Sequence, residues 1–334
     1  MKALMDRLES IEIGPVREAE DMRVVPLLAT NTDENALLLT EALIQGLVDI
    51  EEVSEAGRVN RIRIINRGKL PILALDGEEL RGSKQNRVLN TSLRIGAGQT
   101  VVVPVSCVES GRWRWTSRRF ETTARLMPSR MRQKKMARVS QSLRARGVYD
   151  ANQQAVWDDT STLLVARRVL SETTCLSDAL DRIETDGQAP NAPQLDLTCL
   201  RPREGEIGQA LFIGDRLISI EVFGTDSLCA SAWPHLESTL RIESALNPAD
   251  RPSQRDAKDL AQEVRGLLQD AVNAHRDTFI APGGSSLSVR LTSQHAVGAA
   301  LLREKDVLHC TVYASVAEGE RPNVPDVDNP RSCG

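Results

Sequence analysis

The residues that could do chemistry crowd into one stretch, Asp76–Phe120, which reads DGEELRGSKQNRVLNTSLRIGAGQTVVVPVSCVESGRWRWTSRRF. Three carboxylates, Asp76, Glu78 and Glu79, stand just upstream of Lys84, Gln85, Asn86 and Arg87. Polar residues of opposite sign, packed this densely between apolar runs, are costly to bury unless they pair with each other or with a ligand. If the strand ending at Leu75 continues, alternation puts Asp76 and Glu78 on one face. Hard oxygens at that spacing suit a divalent metal such as Mg²⁺, which bridges readily to phosphate. Asp76 and Glu78 are therefore the candidate metal ligands. Glu78, Glu79 and Glu109 are the candidate catalytic carboxylates, as general bases. Lys84, Gln85, Asn86 and Arg87 offer two cations and two donor–acceptor amides to a base, a ribose or a phosphate. The structural alternative is a solvated acidic turn, its carboxylates paired with Lys84 or Arg87 and its amides satisfying turn backbone.

Downstream, Cys107 and Glu109 share a strand face if the run from Thr100 is regular. A thiol beside Arg112 and Arg114 has the setting of a nucleophile. No histidine lies nearby in sequence, and buried, inert cysteines are much the commoner kind, so Cys107 is read as structural. Glu109 is the better candidate, as a metal ligand or as an anchor for Arg112. Next, Gly111-Arg112-Trp113-Arg114-Trp115 mixes guanidinium groups with indoles, the pairing that stacks on bases and clamps phosphates. Arg112, Trp113 and Arg119 join the ligand-binding candidates. Two core tryptophans flanked by surface arginines are the plainer alternative.

The charge balance sharpens the picture. The chain of 334 residues has a net charge of −4, yet residues 111–146 hold twelve basic residues and one acid, Glu121. Such a field attracts phosphates, nucleic acid or an acidic partner. It serves equally for docking on the chain's own acidic surface. Elsewhere the signals are weak. Neither GxGxxG nor GxxxxGK[ST] occurs, and His235, His275 and His295 have no partner pattern. The six cysteines are not spaced as CxxC, which argues against a structural zinc site. No apolar run approaches the roughly 18 residues of a membrane span, and the N-terminus has no signal core, so the expected setting is the cytoplasm.

The elements that must position these residues fall into three blocks. Short apolar runs at 24–29, 62–65, 72–75, 88–95 and 100–108, separated by glycines, predict antiparallel strands. A helix over about 37–47 interrupts them. The middle is helical: Pro128 opens a helix that stops at Gly147, Asp150 caps a second over 151–170, and a third covers 176–183. Residues 186–205 carry three prolines and two glycines and read as a surface connection. A hairpin at 207–223, helices at 228–246 and 254–275, and strands at 286–291, 296–302 and 307–314 complete the chain. The expectation is an α+β fold, with an antiparallel sandwich or barrel-like sheet system from both ends around a helical middle. It reads as one large domain: β-rich 1–125, helical 126–185, the connection, mixed 206–315 and a mobile tail from 316.

The pair DGEEL…KQNR and SCVESGRW resembles the ARPP family, named for its association with ADP-ribosylglycohydrolases and rhodanese/phosphatase proteins. EALIQGLVDIEEVSE at 41–55, NQQAVW at 152–157, IGQALFIGDRLISIEVFG at 207–224 and LHC around His309 extend the resemblance over most of the chain. It implies a link to NAD-derived or ADP-ribose metabolism, and supplies no proven catalytic residue. Together with the residues, it leads to the expectation of a protein that binds a phosphorylated nucleotide-type ligand and processes it, as a hydrolase or transferase, with metal assistance. The alternative is a non-catalytic module that binds nucleic acid or an acidic partner through residues 111–146.

Overall fold

The computed structural model describes residues 2–54, 57, 60–187, 195–247 and 255–315. The tail expected from residue 316 lies outside them. The chain opens with α1 (Lys2–Glu9), whose Leu4 and Leu8, one turn apart, are buried. Three strands follow, β1 (Glu12–Ile13), β2 (Arg17–Ala19) and β3 (Met22–Leu28), then β4 (Leu37–Leu38) and α2 (Leu39–Ile44). The predicted 37–47 helix is thus shorter at both ends, because Leu37 and Leu38 pair with a strand instead.

A β-rich block comes next: β5 (Val48–Glu52), β6 (Arg61–Asn66), β7 (Ile72–Ala74), β8 (Glu78–Gly82), β9 (Arg87–Leu89), β10 (Leu93–Ile95), β11 (Thr100–Cys107) and β12 (Phe120–Leu126). In β6 buried residues alternate with more open ones, the mark of a half-buried strand. The apolar run 88–95 is two strands, not one. β9 pairs with β11 while β10 pairs with β7, so the chain changes sheets at Asn90–Ser92. β5 and β8 were not anticipated, since each is rich in charge.

The helical block holds α3 (Ser129–Arg146), α4 (Gln153–Ala166) and α5 (Leu176–Gly187). α3 follows Pro128 and ends where Gly147 takes a left-handed conformation, φ +67°. The cap of α4 is Asn152, which accepts from the Ala155 N–H, rather than Asp150. The described end of the 186–205 connection is not draped over the surface. Leu197 and Leu200 are buried in the core, and Gln209 donates to the Leu200 carbonyl at 2.9 Å.

The last block runs β13 (Glu206–Ile213), β14 (Arg216–Phe223), α6 (Asp226–Ser231), α7 (Trp233–Leu246), α8 (Ala257–Asn273), β15 (His275–Ile280), β16 (Leu287–Thr292), β17 (Ala296–Arg303) and β18 (Asp306–Ala314). The single helix expected over 228–246 is broken near Ala232, where Pro234 lacks the N–H needed to continue it.

The architecture is α+β. The largest sheet has the order β1-β3-β13-β14-β18-β17-β16-β15, with β2 alongside β3, and its pairings are antiparallel. N-terminal β3 sits beside β13, so the end of the chain returns to the sheet its beginning started. α1 and α8 pack on one face over a core that includes Leu27, Ile220, Leu268 and Val312. A second sheet, β12-β8-β9-β11-β6-β5, carries most of the sequence-predicted site, and a third, β10-β7-β4, lies beside it. Among the described residues no helix is long and apolar enough to cross a membrane.

Candidate functional site

The two stretches of opposite polarity meet. Gly77, at φ +79°, turns the chain from β7 into β8. A Cβ there would come 2.9 Å from Arg132 Cδ, so glycine also admits a close approach by α3. β8 pairs with β9, and β9 with β11, which sets Arg87 opposite Cys107. The carboxylates of the ribbon nevertheless face three different sets of partners.

Asp76 belongs to the most deeply buried set. Its carboxylate meets Lys135 Nζ in a short contact and Arg132 Nε at 3.4 Å. Arg132 reaches on to Glu221, Nη1 to Oε1 2.5 Å, and donates to Thr311 Oγ1 at 3.1 Å. His309 closes the circuit, with Nε2 3.1 Å from Glu221 Oε2 and Nδ1 3.0 Å from Ser92 Oγ. Ser92 Oγ accepts from the Asp76 N–H at 2.9 Å. Burial pushes the Glu221 carboxyl up, but the Arg132 guanidinium and the His309 hydrogen bond together outweigh it and hold the group at about 2. Burial drives the Lys135 ammonium down, Asp76 offsets only part of that, and the group falls to about 8. Asp76 also feels burial first, yet Lys135 and Arg132 keep it below its ordinary value. Arg290 is fully buried nearby and donates to Thr91 Oγ1 at 2.9 Å.

Glu78 and Glu79, one residue apart on β8, point to opposite sides. Glu78 accepts from Thr40 Oγ1 at 2.7 Å and from the Leu75 N–H at 3.2 Å, and His235 Nε2 lies 3.5 Å away. Glu79 accepts from Thr123 Oγ1 at 2.9 Å and from Ser177 Oγ, and meets Arg125 Nε at 3.2 Å. Asp76 and Glu78 therefore do not turn to a common point. Among the described residues no group of three or more His, Cys, Asp or Glu side chains is placed to hold a metal ion.

The third set surrounds the β8–β9 turn. Arg87 is fully buried, donates to Gln85 Oε1 at 3.1 Å, touches Cys107 Sγ at 2.6 Å and faces Glu52 at 3.5 Å. Burial pushes the Cys107 thiol up to about 12, against the pull of Arg87. Glu109 anchors Arg112 through both oxygens, at 2.7 and 2.6 Å, and accepts from the Asn86 N–H at 3.1 Å. The Gln85 side chain donates to the Glu109 carbonyl at 2.8 Å, and Asn86 donates to Ser177 Oγ at 2.9 Å. These groups are a scaffold. They support a cation–indole platform whose Lys84 is itself buried. Lys84 Nζ stands 5.3 Å from the Trp113 ring and 5.1 Å from the Trp115 ring, and the Arg118 guanidinium lies 5.1 Å from the Trp115 ring. Trp113 remains 45 % exposed. Arg119 pairs with Asp49 at 2.5 Å beside it.

Much of the positive charge of residues 111–146 is met inside the protein. Lys134 and Arg138 share Asp159, Arg125 lies between Glu79 and Asp181, Arg144 faces Asp277, and Arg146 faces Asp150. Arg132 and Lys135, counted in the sequence as part of that basic field, are core residues. Their spacing held the clue. They lie on the buried side of α3 with Met131, Met136, Val139 and Leu143. Glu221, Arg290, Ser92, Thr40 and His235 gave no comparable signal. His309 lay in one of the motif blocks without an assigned role.

A protein-family model described as "ARG and Rhodanese-Phosphatase-superfamily-associated Protein domain" matches residues 10–313. No curated protein and no solved structure matches the chain.

Proposed function

The chain belongs to the ARG and Rhodanese-Phosphatase-superfamily-associated Protein family, and from that premise we propose that it binds a phosphorylated nucleotide-type ligand, ADP-ribose or an NAD-derived molecule. The observation that carries the proposal is the platform of Lys84, Trp113, Trp115 and Arg118. An indole left 45 % exposed and backed by a cation offers a π-face to a base. Exposed Arg118 and Arg119 supply positive charge beside it for phosphate oxygens, Arg119 while also paired with Asp49, and Lys84 is buried against the indoles. The buried Glu109–Arg112 pair and Arg87 fix the turn that carries Lys84, so the face is preorganised.

Hydrolysis or transfer on that ligand has less support, because Glu78, Glu79 and Glu109 each already serve buried donors. Asp76 and Glu78 turn to different partners, so a Mg²⁺ requirement would come from the ligand's phosphates. Binding of nucleic acid through residues 111–146 is weakened by the internal pairing of that segment.

Calorimetric titration with ADP-ribose, NAD and simple nucleotides, each with and without Mg²⁺, tests the proposal. Stacking of this kind is worth about 1–3 kcal/mol. Trp113→Ala should therefore weaken binding roughly five- to 150-fold. Folded protein that gives no heat with any of these ligands would remove the nucleotide reading.

A further inference from the structure

A cleft of about 370 Å³ opens beside the platform, between the end of α2 and the starts of β5 and β12. Ile44, Val48 and Ile50 form an apolar wall, while Asp49, Arg119, Glu121 and Thr122 supply the polar groups. Ile44 is 78 % exposed at the mouth of the cleft. The cleft is joined to the platform through the chain, since Arg118, over Trp115, and Arg119, in the cleft, are sequence neighbours.

Behind Thr122 runs a chain of hydrogen bonds whose directions can be worked out. Glu78 accepts from Thr40 Oγ1 at 2.7 Å, which uses the only hydroxyl proton of Thr40. Thr40 must then accept from its two other neighbours, Thr122 Oγ1 at 2.7 Å and His235 Nε2 at 3.1 Å. His235 thus carries its proton on Nε2. That agrees with a buried Nδ1 that has no hydrogen-bond partner, since a bare nitrogen costs less there than an unmet N–H. Thr122 in turn spends its proton on Thr40 and accepts from the Ala124 N–H at 3.1 Å. One lone pair is left on its oxygen, and Thr122 lines the cleft.

We infer that this cleft is the subsite for a hydroxyl-bearing ring of the bound ligand, a pentose with vicinal hydroxyls, and that Thr122 selects it by accepting a hydrogen bond from one of them. The inference rests on the nucleotide reading above and extends it from the base to a second sugar. At the rim Asp49 is paired with Arg119 at 2.5 Å and with Arg67 at 2.7 Å, so a vicinal diol there shares groups that already hold each other. The aliphatic wall matches the C–H face of the ring. A carbonyl or ether oxygen in the same place would meet a lone pair and be refused. The buried carboxylate of Glu78 is a positioning residue here, because it fixes which way each hydroxyl points.

Titration of ADP and ADP-ribose into wild type, Ile44→Glu, Thr122→Val and Thr122→Ser tests this. ADP-ribose should bind about tenfold more tightly than ADP, the worth of one or two net hydrogen bonds. Ile44→Glu, at an exposed position, should abolish that gain. Thr122→Val should lose most of the gain and Thr122→Ser should keep it. Equal affinity for ADP and ADP-ribose, or a gain that survives both Ile44→Glu and Thr122→Val, overturns the subsite while leaving the platform standing. If neither ligand binds the folded protein, the platform and the subsite both fall.

Discussion

Replacing Glu221 by glutamine should cost about 3 kcal/mol of stability at neutral pH and almost nothing near pH 2. Glu221 is buried, with Arg132 Nη1 at 2.5 Å, Thr311 Oγ1 at 2.6 Å and His309 Nε2 at 3.1 Å. These partners bring its carboxyl from an ordinary 4.5 to about 2 against the pull of burial. Each pH unit is worth about 1.4 kcal/mol, so the drop corresponds to about 3 kcal/mol. The sign follows from the direction of the shift. A depressed carboxyl stabilises the fold fully above its unfolded value, near 4.5, and loses that stabilisation as pH falls through about 2. Glutamine has the shape of the protonated acid but cannot answer the charge of Arg132. Urea denaturation of both proteins from pH 7 to pH 2 reads the difference. It should be largest above pH 4.5 and shrink toward zero across the window. A difference that stays constant with pH, or falls below about 1 kcal/mol at pH 7, would refute the assignment of Glu221 as the charged partner of Arg132.

Lys135 gives the opposite limb. Its folded pKa is lowered to about 8 from 10.5, so the folded state sheds its proton first and stability should rise by up to about 3 kcal/mol between those values. Lys135→Met, compared with wild type by the same denaturation, should abolish that rise. The thiols make a separate prediction. Burial raises Cys107 and Cys310 to about 12 and Cys175 to about 11, while Cys199 is exposed. A Cys199→Ser, Cys333→Ser variant should therefore react with a thiol reagent at pH 8 only as fast as it unfolds, and prompt labelling of Cys107 in mass spectra would contradict the buried placement. Arg112→Met should destabilise the protein by about 3–5 kcal/mol, because it leaves Glu109 charged and without its two-pronged partner. A loss under 1 kcal/mol in the same unfolding assay would deny the pair its role in holding the turn.

The elements that local chemistry dictates were legible in the sequence. Pro128 and Gly147 bound α3, turn residues Gly214-Asp215 join β13 to β14, and alternation marked β6. The 76–87 and 106–119 stretches meet through adjacent strands of one sheet, a long-range pairing that neither stretch announces alone. The rest depends on partners far along the chain. β8 reads as an acidic turn because Glu78 and Glu79 are buried only by virtue of Thr40, Ser177 and Arg125. Lys135 reads as one charge in a basic helix until Asp76, 59 residues away, is set against it. Asn90–Ser92 gives no local sign that the chain changes sheets there, since the register is settled by β7 and β11. His235 lacked a sequence pattern because its partners, Thr40 and Glu78, come from the other end of the chain.

The central claim, a nucleotide on the cation–indole platform, is tested most directly by the indole N–H signals of the four tryptophans during titration with ADP-ribose. Trp113 and Trp115 should shift together and saturate, while Trp157 and core-buried Trp233 stay still. Four unmoved signals at millimolar ligand, or movement confined to Trp157 and Trp233, would contradict it.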